Sequence, residues 1–177
     1  MPVPIDAART FEAIGIAVLT ISDSRTKATD GSGGYLCGAL QDLGHRLAGY
    51  EIVADDIPAI QAQINAWLAD PTVHCILTTG GTGVTGRDVT PEALAGLGGR
   101  EIPGFGELFR WLSFAKIGTS TIQSRAVGYV MGDTYVFALP GSTGACRDGW
   151  EEILVHQLDS RFRPCNFIEL IGRLGER

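Results

Sequence analysis

Two uninterrupted apolar runs constrain this chain more than any other feature. Ile14-Gly15-Ile16-Ala17-Val18-Leu19-Thr20-Ile21 and the stretch from Val73 to Thr79 do not alternate with polar residues. A strand apolar at every position is buried on both faces, the situation of a parallel sheet covered by helices. The second run leads straight into Gly80-Gly81-Thr82-Gly83. Three glycines in four positions let backbone N–H groups converge on an anion that side chains would otherwise hold away.

The segments between and after these runs alternate in type. A helix carrying Tyr35, Leu36, Leu40 and Leu43 is expected after a polar loop reaching Gly34, with Gly44 as its stop. A strand follows from His45 to Ala54, then a helix with Ile57, Ile60, Ile64, Trp67 and Leu68, closed by Pro71. Thr90-Pro91-Glu92 supplies an N-cap, a first-turn proline and an early carboxylate for another helix, halted at Gly98-Gly99. Pro103 opens a helix with Phe105, Leu108, Phe109 and Leu112 on one face. Val127–Met131 and Thr134–Leu139 flank Gly132-Asp133 as a hairpin, and a last long helix buries Trp150, Ile153, Leu154 and Leu158 before Pro164. The expected fold is therefore α/β, a mostly parallel sheet with helices on both faces and one antiparallel hairpin. Residues 1–12 read as a loose arm and 13–177 as a single domain, without internal repeat or linker.

Composition narrows the function. The 177 residues are 45% hydrophobic, enough for one sizeable core, and the net charge of -6 is carried without any basic stripe. Nucleic acid is thus not an expected partner. The amino terminus lacks a basic segment leading into an apolar one, and no window approaches a membrane span, so a cytoplasmic protein is expected. Cys37, Cys75, Cys146 and Cys165 form no C-x-x-C pair and have no histidine at ligand spacing, which argues against structural zinc.

Ligands of open α/β sheets bind beyond the carboxyl ends of the strands. Four polar loops qualify here: Ser22-Asp23, Asp55-Asp56, Gly80 to Asp88, and Pro140 to Thr143. They offer backbone donors, hydroxyls and acids, with no obvious nucleophile or general base. Asp88 would repel a bound phosphate unless a hard cation sat between them, which points to a phosphate-bearing ligand with Mg2+. Plainer roles exist for each part: a tight turn for the glycines, turn formation for Asp23 and Asp55, an N-cap for Ser142. Gly81 to Gly86 matches G-x-G-x-x-G, but Arg87-Asp88-Val89 intervene where a dinucleotide site would run into its helix. Neither a G-x-x-x-x-G-K-[ST] loop nor a G-x-S-x-G elbow is present.

Taken together, Thr78-Thr79-Gly80-Gly81-Thr82-Gly83, Asp88-Val89-Thr90-Pro91-Glu92, Pro103-Gly104-Phe105-Gly106-Glu107 and Pro140-Gly141-Ser142 resemble the MoaB/MogA family of molybdenum cofactor biosynthesis. The likeness runs from Ile14 to Phe167. Ser113-Phe114, Ile117 to Thr121, Gln123 to Ala126 and Arg163 to Phe167 resemble the MoaB branch in particular. The resemblance implies a three-layer domain that binds molybdopterin, with active members joining AMP from Mg-ATP to the pterin's terminal phosphate. It also implies a homo-oligomer, trimer or hexamer, working with other proteins of the pathway. By motif, Asp55 and Asp88 would be the catalytic acids and the Mg2+ ligands. Gly80, Gly81, Thr82 and Gly83 would hold nucleotide phosphate, and Ser22, Asp23, Ser124, Arg125 and Ser142 would meet the pterin. One departure stands out: the adenylylating branch has proline before the first acid, and this chain has Ala54. A pterin-binding carrier without turnover is the alternative. The apolar tail Phe167 to Ile171 is expected to pack against a neighbouring subunit.

Overall fold

The computed structural model describes residues 5–176. Six strands form one sheet in the order β2-β1-β3-β6-β5-β4. The strands β1 (Gly15–Ile21), β2 (Arg46–Val53), β3 (Cys75–Thr79) and β6 (Thr134–Leu139) are mutually parallel. The pair β5 (Val127–Met131) and β6 is the expected hairpin, and β5 in turn pairs antiparallel with β4 (Arg100–Glu101). At two residues, β4 is too short to leave a periodic signal in the sequence. Every residue of β1, β3 and β6 is buried, as uninterrupted apolar runs require.

Two helical layers cover the sheet. On one face, α1 (Gly31–Leu43), α4 (Pro103–Ile117) and the helix from Thr143 to Gln157 bring Leu36, Leu40, Phe105, Phe109, Trp150 and Leu154 onto Ile16, Val18, Leu77 and Phe137. That last helix contains one wide turn, Trp150–Leu154, between α5 (Thr143–Gly149) and α6 (Val155–Gln157). On the other face, α2 (Ile57–Leu68) and α3 (Thr90–Gly96) lay Ile60, Ile64, Trp67 and Leu94 over Leu19, Ile76 and Val136. The sheet is thus the middle of three layers, as expected.

Local chemistry moves several boundaries. Helix α1 starts at Gly31, ahead of its apolar stripe, because Asp30 accepts the Gly33 N–H and nucleates the turn. Thr90 is not the N-cap of α3: it is the first helical residue, and its hydroxyl donates to Gly80 O at 2.8 Å. The last helix stops at Gln157, short of Pro164. Beyond it, Asn166 donates to Ser160 O and Phe162 O, and Asp159 accepts from the Arg161 backbone, local bonds that compete with helix. On α4, Phe105 and Phe109 are buried as expected, but Leu108 is exposed, together with Trp111, Phe114 and Ile117.

The chain ends also differ from expectation. Residues 1–4 of the expected loose arm lie outside the described residues. Residues 5–12 are tied down: Ile5 bridges Phe162, Arg9 Nη1 donates to Ser160 O at 2.8 Å, and Phe11 lies 5.0 Å from the His45 ring. Part of the apolar tail packs within the chain, while Leu170 stays 42% exposed. Phe167 packs 4.7 Å from Tyr135 and 5.5 Å from Phe137, and Ile168 and Leu174 are buried within the same chain. The aromatic positions of β6 leave a gap over the sheet that this tail fills. Phe167→Ala should therefore destabilise the fold by about 2–4 kcal/mol, seen as a lower urea midpoint at unchanged slope.

Candidate anion-binding site

The four parallel strands present their carboxyl ends along one edge, and a cavity of about 620 Å³ opens there. Gly81, Thr82, Gly83 and Asp88 line it from the β3 side, Gly141 and Ser142 from the β6 side, and Ser124 from the segment before β5. Phe109, Ser113, Lys116 and Ile117 of α4 form the opposing wall.

The glycines are steric requirements. Gly80 and Gly81 have φ of 107° and 64°, in the left-handed region. A Cβ on Gly80 would stand 2.2 Å from Ile21 O, and one on Gly81 would stand 2.4 Å from Thr90 Oγ1. The carbonyls of this loop are held from behind. Gly80 O and Gly81 O accept from the Thr90 hydroxyl and N–H; Thr82 O and Gly83 O accept from the Arg125 N–H and Nε. In a trans peptide the carbonyl and the following N–H point in opposite directions. Pinning these carbonyls therefore turns each following N–H away from the Thr90 or Arg125 group that holds its carbonyl.

Both predicted acids flank this loop. Asp55 Oδ1 lies 3.3 Å from where a Gly81 Cβ would be, and Asp88 Oδ2 lies 2.7 Å from the corresponding point at Gly83. Asp88 Oδ2 accepts from Thr85 N–H at 2.9 Å and Thr85 Oγ1 at 2.7 Å, and these bonds, the hydroxyl's first, hold its pKa below the usual carboxylate value. Asp55 moves the other way. Burial, then the neighbouring Asp23 charge, push its pKa up; Asp88 adds to this, while Arg87 opposes it. Among the described residues, no group of three or more His, Cys, Asp and Glu side chains is placed to cage a metal. Two hard carboxylates beside a phosphate cradle do fit Mg2+, which is ordinarily held by one or two carboxylates plus water and phosphate oxygens.

The other sequence-predicted residues divide. Ser124 and Ser142 line the cavity; Ser142 also caps α5 by accepting the Ala145 N–H at 3.1 Å. Ser22, Asp23, Asp55 and Gly80 do not line the cavity; Asp23 and Asp55 lie side by side next to the loop. Ser22 Oγ accepts from Ser24 and Arg25 N–H groups, and Asp23 accepts from Asp55 N–H and pairs with Arg87. Arg125 lies behind the loop instead of in the cavity, its guanidinium engaged by Gly83 O, Asp88 O and Glu92. It braces the glycine loop and, with Asp88 and Glu92, lines a separate shallow cavity on the far side of Asp88. Lys116, which sequence reasoning missed, lines the cavity and pairs with Asp148 at 2.6 Å. An exposed lysine on an amphipathic helix carries no signal of its own.

Fold and site together define a three-layer α/β domain with a glycine-loop cavity lined by Asp88, and with Asp55 beside the loop outside that lining. The family profile described as "Probable molybdopterin binding domain" matches residues 17–160. Molybdenum cofactor biosynthesis protein B of Escherichia coli (strain K12) is 53% identical over 152 residues, covering 86% of this chain and 89% of that protein. The protein of the same name from Bacillus cereus is 46% identical, covering 80% and 84%. Among solved structures, a molybdenum cofactor biosynthesis protein B superimposes with a TM-score of 0.85 at 38% identity, over 96% of this chain and all of that one. The tungsten cofactor synthesizing protein MoaB from Pyrococcus furiosus gives 0.73 at 30%, over 93% and 99%. The chain belongs to the MoaB/MogA family of molybdenum cofactor biosynthesis proteins.

The raised Asp55 pKa has a signed consequence. Its ionised form is disfavoured in the fold, so that penalty is absent well below the unfolded pKa of about 3.9 and complete above the folded value. Asp55→Asn should raise the thermal midpoint at pH 7, and the gain should vanish below about pH 3.9. Thermal scans of both proteins across that range check it.

Proposed function

We propose that this protein adenylylates molybdopterin with Mg-ATP, releasing pyrophosphate. The observation that carries the reading is the placement of Asp55 and Asp88 against one glycine loop that lines a cavity. The attacking group is the pterin's terminal phosphate, largely dianionic near neutral pH because its second pKa is about 6. No general base is then required. A phosphate oxygen forms the new bond to the α-phosphorus of ATP as the α–β bridging bond breaks, and the electron pair leaves with pyrophosphate.

The obstacle is repulsion between two anions, so alignment and positive charge decide the rate. In this reading the N–H groups of Gly81, Thr82 and Gly83 hold one phosphate, while Ser124 and Ser142 meet the pterin side. Asp55 and Asp88 would hold Mg2+, which supplies charge neutralisation at the transferring phosphate. The cytoplasm, where ATP and Mg2+ are available, is the compartment this chemistry needs.

Protein incubated with molybdopterin, ATP and Mg2+ should yield AMP-linked pterin. Asp55→Asn and Asp88→Asn should each reduce the rate about 100-fold or more. A folded wild type giving no product overturns the reading. One observation favours a carrier instead: an oxygen of Asp88 is already occupied by Thr85 in a local turn. A carrier would bind molybdopterin equally well after Asp88→Asn.

We also propose that further copies of the chain cover the apolar face of α4 and the segment after it, giving the trimer or hexamer that the family likeness implies. Trp111 and Ile122 there are 71% and 76% exposed, with Phe114 and Ile117 beside them. Clustered exposed apolar surface of this kind marks an association site. Trp111→Glu should lower the mass measured by sedimentation equilibrium to that of one chain. Unchanged mass removes this face from the interface.

A further inference from the structure

Behind the Pro140–Ser142 turn lies a buried carboxylate with more partners than a helix cap needs. Asp30 is the N-cap of α1, and its side chain is fully buried. Capping takes one acceptor, and Oδ1 serves it by receiving the Gly33 N–H at 2.9 Å. Four further donors converge on the same group. Thr20 Oγ1 and the Tyr50 hydroxyl reach Oδ2, and Ser32 Oγ and Arg25 Nη1 reach Oδ1. Gly33 makes room for them, since a Cβ there would stand 2.2 Å from Asp30 Oδ2. Burial alone would raise the Asp30 pKa, but these hydrogen bonds outweigh it and hold the pKa below the usual carboxylate value, so the group is ionised at neutral pH.

Arg25 connects this charge to the site. Its Nη1 also donates to Ser32 Oγ, and its Nη2 donates to Gly141 O at 2.8 Å. Gly141 and Ser142 line the cavity; Arg25 and Asp30 do not. With Gly141 O drawn to Arg25, which does not line the cavity, the Ser142 N–H points away from Arg25. The preceding peptide is set in the same manner, Pro140 O accepting from Thr79 Oγ1 at 3.0 Å and Cys146 Sγ at 3.3 Å. A glycine peptide is the least restrained by its own side chain. Its orientation therefore depends on such external donors.

We propose that Arg25, fixed by the buried Asp30 carboxylate, is a positioning residue that locks the Gly141–Ser142 peptide with its N–H toward the substrate phosphate. This rests on the reading that the cavity takes a phosphate-bearing substrate. It separates from mere capping, because asparagine caps a helix as well as aspartate does but does not anchor a guanidinium.

The test uses the ¹⁵N-labelled full chain titrated with inorganic pyrophosphate, beside calorimetric affinities for molybdopterin. In the wild type the Ser142 amide resonance should move on adding pyrophosphate. In Arg25→Met that response should disappear and molybdopterin affinity should fall about tenfold or more. Arg25→Lys, which keeps the charge without the planar fork, should recover only part of the response, and Asp30→Asn should weaken binding while α1 stays folded. Variants that titrate like wild type, within about twofold, overturn the proposal. If Arg25→Met fails to fold, Arg25→Lys and Asp30→Asn decide by the same criterion. A wild type that responds at Ser142 yet makes no AMP-linked pterin overturns the adenylylation reading alone. One whose Ser142 amide ignores both ligands overturns this inference whatever its turnover.

Discussion

The site depends on one constraint: a peptide group cannot present its carbonyl and its following N–H to the same side. A phosphate cradle needs N–H groups forward, so each carbonyl needs a donor behind, since an unpaired buried carbonyl is costly. The structure supplies those donors from three directions. Thr90 and Arg125 take the carbonyls of Gly80 to Gly83, and Arg25, Thr79 and Cys146 take those of Pro140 and Gly141. The two loops also lie close together: a Cβ added at Gly141 would stand only 3.2 Å from Gly80 Cα. The front of the cavity is thus defined by residues that never enter it.

This arrangement explains why the arginines sit where they do. A cationic side chain beside a phosphate site invites assignment as a direct ligand. Arg125 and Arg25 instead donate to main-chain carbonyls, with Glu92 and Asp30 opposite them. A guanidinium suits this role because its fork can bridge two acceptors at fixed spacing. Its charge is matched locally, by Glu92 for Arg125 and by Asp30 for Arg25.

The sheet was legible because strands buried on both faces leave runs, such as Ile14 to Ile21, that few other elements can produce. The glycine loop and its flanking acid were legible for a different reason: three glycines in four positions after a buried strand, followed closely by Asp88, exceed what one tight turn requires. What stayed hidden was relational. That Thr90 would brace Gly80 in place of capping α3, or that Arg125 would stand behind the loop, depends on which side of a turn a residue falls. Spacing along the chain does not carry that information. The intrachain half of the tail's packing was hidden likewise, because Phe167 meets Tyr135 and Phe137, residues distant along the chain. Lys116 was missed since its place on the cavity wall follows from how α4 docks.

The two acids bear on what the cavity is for. A protein that only carried a phosphorylated pterin would gain from a cradle of N–H groups and lose from carboxylates beside it, because like charges weaken anion binding. Asp55 is disfavoured even in the free protein, its pKa raised by burial and by Asp23. Asparagine at that position could keep the backbone contacts without the charge. Retaining a carboxylate that opposes both folding and anion binding makes physical sense when a divalent cation arrives with the second substrate. Under the proposed reading, the same charge that repels a lone phosphate would then help to hold that cation.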